Sequence, residues 1–97
     1  MNIIIADTIE KVSGEATEFT TTARGFWLYG SGFAPGEYAV VEGVGPDGLY
    51  RQVTNNGGGI YVSAAPNTVF VDLPAGTYRI DKTATDLAAS VGYEEEE

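Results

Sequence analysis

Asn67-Thr68-Val69-Phe70-Val71-Asp72-Leu73, then Pro74-Ala75-Gly76, then Thr77-Tyr78-Arg79-Ile80-Asp81-Lys82-Thr83: two runs rich in β-branched and aromatic residues flank a three-residue turn. Val69, Val71 and Leu73 recur at every second position of the first run, as do Tyr78 and Ile80 in the second. A period of two turns one face of each run toward a core. Proline cannot donate to a ladder and glycine accepts positive φ, so Pro74 and Gly76 end one strand and release the next. The stretch predicts two strands folded back on each other as a hairpin, with Tyr78 in the core.

The same signals recur outward from this stretch. Residues 2–6, 16–22, 26–29, 37–44, 49–54 and 60–63 before it, and 87–93 after it, read as short strands. In the third of these Phe26 and Leu28 point one way, Trp27 and Tyr29 the other. In the fourth Tyr38 and Val40 oppose Ala39 and Val41. The triple isoleucine Ile3-Ile4-Ile5 predicts burial on both faces, or against another subunit. Gly45-Pro46-Asp47-Gly48 is a turn by composition, and residues 55–59 a flexible tip. Gly36-Glu37-Tyr38 echoes Gly76-Thr77-Tyr78 after a proline. A tyrosine after such a corner can bury its ring and bond its hydroxyl to nearby backbone, so Tyr38, Pro74, Gly76 and Tyr78 are read as structural. About eight short strands without a helix predict an all-β, antiparallel β-sandwich. An immunoglobulin-like topology is the first expectation, and a jelly roll or small β-barrel the alternative. Residues 1–93 are read as one domain and 94–97 as an acidic tail.

The chain has 97 residues, no cysteine and no histidine, which removes disulfides, thiol chemistry and the commonest general base and metal ligand. Five basic against 14 acidic residues give a net charge of −9, which a phosphate backbone repels, so no nucleic-acid partner is expected. Ile3-Ile4-Ile5-Ala6 is too short for a signal sequence or membrane span, so neither export nor a membrane is expected.

No catalytic constellation emerges. Ser13, Ser31, Ser63 and Ser90 lack a histidine to activate them, and no motif supports a serine–lysine pair with Lys11 or Lys82. Chance carboxylate pairs are inevitable among 14 acids, and a chain this small has little material for a glycosidase cleft. Asp47 could give calcium one oxygen, but no D-x-D-x-D spacing accompanies it. Gly57-Gly58-Gly59 lacks the Lys-Ser/Thr and the helix of a phosphate loop. The expectation is a non-enzyme with no cofactor and no metal. Trp27, Tyr29, Tyr61 and Phe70 remain as candidate partner-binding residues. Either the domain covers them, or they form a contact surface, since Trp and Tyr are enriched at interface anchors. Such a platform could also stack on a sugar ring.

Two local patterns resemble known families. Gly30-Ser31-Gly32-Phe33-Ala34-Pro35-Gly36-Glu37 resembles a turn of immunoglobulin-like domains in bacterial surface proteins. A strand over residues 38–44, Gly45-Pro46-Asp47-Gly48, Tyr50, a strand over 69–73 and then Pro74-Ala75-Gly76-Thr77-Tyr78-Arg79 resemble, in that order, small bacteriophage structural proteins. That resemblance implies a virion component: a capsid decoration, or cement, protein made in the host cytoplasm and docked on the capsid exterior. Its partner would be the major capsid protein, with a homotrimer or homodimer as its own assembly. The alternatives are a carbohydrate-binding or adhesion module and a tail or head-fibre subunit.

Overall fold

The computed structural model describes residues 2–12, 17–44, 46–55 and 58–95. Pairing within it is nested. The first long strand, β1 (Asn2–Thr8), pairs with the last, β11 (Ala89–Glu95). One step inward, β2 (Glu18–Thr21) pairs with β10 (Gly76–Lys82), and β3 (Phe26–Ser31) with β9 (Thr68–Val71). Innermost, β4 (Tyr38–Val44) pairs with both β5 (Tyr50–Gln52) and β8 (Tyr61–Ser63). This long antiparallel ribbon curls so that β11 also meets β3 and β10 also meets β4. Two antiparallel sheets result, β1-β11-β3-β9 and β2-β10-β4-β5, with β8 beside β5 on β4.

The expected β-sandwich is therefore present, and its strand order is that of the jelly-roll alternative. In the immunoglobulin order several consecutive strands share a sheet. Here β1, β2, β3 and β4 alternate between the two sheets.

This topology changes the reading of residues 67–83. β9 and β10 lie in different sheets and do not pair with each other. Pro74-Ala75-Gly76 is a corner that carries the chain from one layer to the other. Tyr78 pins that corner: its ring is buried and its hydroxyl donates to the Pro74 carbonyl at 2.6 Å.

The core lies between the layers. Sheet one contributes Ile5, Phe26, Leu28, Val71 and Val91, and sheet two Phe19, Ala39, Val41, Tyr78 and Ile80. Phe19, Phe26, Tyr78 and Tyr93 form an aromatic cluster at one end, with centroids 5.0–6.2 Å apart. Burial of each large apolar side chain contributes about 1.5–3 kcal/mol. On β4 small residues face large ones: Gly43 opposes Tyr78, and Ala39 opposes Lys82. That complementarity sends Tyr38 outward. It is 45% exposed, so the echo of Tyr78 does not extend to a second structural tyrosine.

Lys82 is wholly buried. Its ammonium donates to the carbonyls of Glu10 and Thr83 and to Thr85 Oγ1, at 3.1, 3.0 and 3.3 Å, which uses its three donors. At the other end of the chain, Glu94 and Glu95, expected to begin a tail, close β11 opposite Trp27 and Phe26. The Glu95 carboxylate accepts from the Thr22 and Ala23 amides. Glu96 and Glu97 lie outside the described residues.

The edge of sheet two is split. The Val41 carbonyl accepts from the Val53 amide, and the Val41 amide donates to the Ile60 carbonyl. Between those points a ribbon of β6 (Thr54–Asn55) and β7 (Gly58–Gly59) leaves the sheet and returns. Of the flexible tip expected over residues 55–59, positions 55, 58 and 59 belong to these two strands, and 56 and 57 lie outside the described residues.

Candidate functional site

Alternation along β3 places Phe26 and Leu28 in the core, and Trp27 and Tyr29 on the outer face of sheet one. Register then assembles that face in rows. Glu94, Trp27 and Phe70 lie side by side across β11, β3 and β9. The indole and the Phe70 ring meet edge to face, with centroids 5.1 Å apart at 65°. Trp27 and Phe70 remain 38% and 41% exposed. Gly25 leaves room for the Phe70 ring: at φ +89° it lies so close that a Cβ there would be 2.7 Å from the ring.

The next row is Ile3, Gly92, Tyr29 and Thr68. By simple alternation Ile3 and Ile5 would share a side. An irregularity in the β1 register between them turns Ile5 into the core and Ile3 outward. Ile3 is 63% exposed, so of the three isoleucines only Ile5 is fully buried by the domain itself. Half-buried Tyr29 completes an apolar face, with the Glu94 carboxylate and the Arg24–Asp72 ion pair (2.8 Å) near it.

Tyr61 is not part of this face. It projects from β8 on the outer side of sheet two, at 42% exposure. A cleft of 170 Å³ at the sandwich edge separates it from Phe70, with Ile60, Pro66 and Val69 in its walls. Three of the four candidates expected from sequence thus share one surface, and the fourth belongs to the opposite layer.

On that layer Tyr61 borders a groove of 440 Å³ that also takes in Tyr38, Val40, Gln52 and Ser63. Register sets its plan. Val40 is the low centre, with Tyr61 on one side and Asp81 on the other. Tyr38 and Ser63 form the row on one side of it, and Glu42 and Gln52 the row on the other. Gly59 admits the Gln52 amide, since a Cβ there would lie 2.1 Å from its nitrogen. An adjoining hollow of 240 Å³ adds Lys11 and Thr83. Glu42 is held by Arg79 at 2.8 Å, and the Arg79 guanidinium sits 4.0 Å over the Tyr50 ring. Sequence reading missed this groove because it took Tyr38 for a core residue. The outward phase shared by Tyr38 and Val40 was the signal that could have shown it.

Asp47 is engaged by the Leu49 amide at 3.1 Å and by the Arg51 guanidinium, which holds its carboxyl below the usual carboxylate range. Among the described residues no three acidic side chains gather to hold a metal ion. Ser13 lies outside the described residues. Among those residues no helix is long and apolar enough to cross a membrane.

Comparison with family models, curated proteins and solved structures finds no match.

Proposed function

We propose that this protein is a non-enzymatic capsid decoration protein, bound through the outer face of sheet one to the major capsid protein on the virion exterior. The observation that carries this reading is the Trp27–Phe70 pair with Ile3 on one face, all exposed in the isolated domain. Burying each such side chain on a partner contributes about 1.5–3 kcal/mol. Aromatic rings of this kind are the usual anchors of protein interfaces. Glu94 beside Trp27, on a chain of net charge −9, suits a basic rim on the partner. Jelly rolls recur in viral capsid and lectin domains. That is a fold-level analogy, and the function is argued from the face.

A subunit that bridges two capsid subunits stabilises the shell by mass action. Synthesis in the host cytoplasm followed by docking is sufficient for this role. Sedimentation of the free protein distinguishes a monomer from a homotrimer or homodimer held by the same apolar face. The decisive experiment titrates purified protein onto undecorated capsids. Saturable binding is expected, weakened at least about tenfold by Trp27→Ala, which corresponds to 1.4 kcal/mol. Absence of saturable binding overturns the reading.

A further inference from the structure

We infer that the groove on the outer face of sheet two binds a neutral glycan. This site stands apart from the proposed capsid-binding face, which belongs to the other sheet. Its volume, 440 Å³, lies in the range of small-ligand sites, about 300–1,000 Å³. Two aromatic rings border it, Tyr38 and Tyr61, 45% and 42% exposed. They flank a depression floored by Val40, to which both rings are near neighbours in the sheet register. A pyranose offers one face of C–H bonds that can cover a tyrosine ring, and a rim of hydroxyls that need donors and acceptors in the sheet plane.

The groove and its extension supply that rim. The Gln52 amide brings two donors and an acceptor, the Asp81 carboxylate brings acceptors, and Ser63 brings a hydroxyl. Gln52 and Asp81 pair with β4 through their backbones, while their side chains make no hydrogen bond among the described residues, so both side chains are available to a ligand. Glu42, by contrast, is already committed to Arg79. Charge decides between glycan classes. Asp81 and Glu37 lie at the groove and its extension, on a chain of net charge −9; among the described lining residues Lys11 is the one cation, and Glu42 is neutralised by Arg79. A sialylated or sulfated glycan would meet repulsion, whereas a neutral one would not.

The test is an array of neutral, sialylated and sulfated glycans, together with host-surface peptides, probed with the full chain and its variants. Neutral glycans are expected to be retained. Tyr61→Ala and Gln52→Ala should each weaken binding at least about tenfold. Trp27→Ala should leave glycan binding unchanged while it weakens capsid binding, so the two readings fail separately. Both groove substitutions are at exposed positions, and melting curves identical to wild type confirm that the variants are folded. The inference is overturned if no neutral glycan is retained, if charged glycans or peptides are preferred, if Tyr61→Ala has no effect, or if Trp27→Ala abolishes glycan binding.

Discussion

Tyr78 donates its phenolic hydroxyl to the carbonyl of Pro74, four residues earlier, at 2.6 Å. The bond spans the corner between the two sheets and satisfies the one polar atom of a ring packed against Phe19 and Phe26. Tyr78→Phe is expected to cost about 1 kcal/mol, the net value of one hydrogen bond. Tyr78→Ala is expected to cost about 3–5 kcal/mol through the cavity it leaves. For a domain of this size each kcal/mol lowers the melting temperature by roughly 4–8 °C, which thermal denaturation will read. Burial also raises the phenol above its ordinary value of 10.0. The folded state therefore keeps its proton longer than the unfolded chain, and stability falls as pH rises through that raised value. Tyr78→Phe should lack this alkaline loss.

The buried Lys82 ammonium titrates with the opposite sign. Desolvation lowers its pKa from 10.5, and the Glu37 carboxylate opposes that only in part. The folded state binds its proton less tightly than the unfolded chain does. Stability should therefore rise as pH increases from the lowered folded value toward 10.5. Measured in a Tyr78→Phe background, this rise should disappear with Lys82→Met. At neutral pH Lys82→Met should still cost about 1–3 kcal/mol, because the Glu10 and Thr83 carbonyls lose their buried donor. A variant as stable as wild type at neutral pH would show that these bonds do no more than offset the cost of burying the ammonium.

Glu95 ties the end of β11 into the fold. Its carboxylate is held below its ordinary pKa, chiefly by the Thr22 amide and then by the Ala23 amide and the Thr22 hydroxyl. Its contribution is present above the unfolded value of 4.5 and lost as pH falls through the lowered folded value. Glu95→Gln should flatten that acid limb of the stability curve. A chain ending at Tyr93 should melt below one ending at Glu95, and equal melting temperatures would contradict the role assigned to this cap.

Gly32 and Gly36 both adopt positive φ, at 88° and 89°, yet differ in surroundings. A Cβ on Gly36 would meet nothing within 4 Å, whereas one on Gly32 would come within 2.4 Å of the Ala88 carbonyl oxygen. Gly36→Ala should cost only the left-handed backbone penalty, about 1–2 kcal/mol. Gly32→Ala adds a backbone clash to that penalty and should exceed about 3 kcal/mol by chemical denaturation.

The sequence by itself determined most of the strands and most of their side-chain directions, with Ile3 and Tyr38, both exposed, as exceptions. A period of two is local, and burying the apolar side drives it, so Phe26 and Leu28 inward against Trp27 and Tyr29 outward was legible, as was the buried Tyr78. Which strands share a sheet was not legible, because a run of alternating residues carries no label for its partner. The Pro74-Ala75-Gly76 corner looks the same in sequence whether it turns a hairpin or crosses between layers. Only the long-range pairing of β9 with β3 and of β10 with β2 and β4 decided it. The same pairing took Tyr61 away from Trp27 and set it beside Tyr38, and it placed Glu94 and Glu95 in a strand where composition suggested a tail. Each site depends on non-local register: one residue of slip would turn Tyr61 or Trp27 to the opposite face of its sheet.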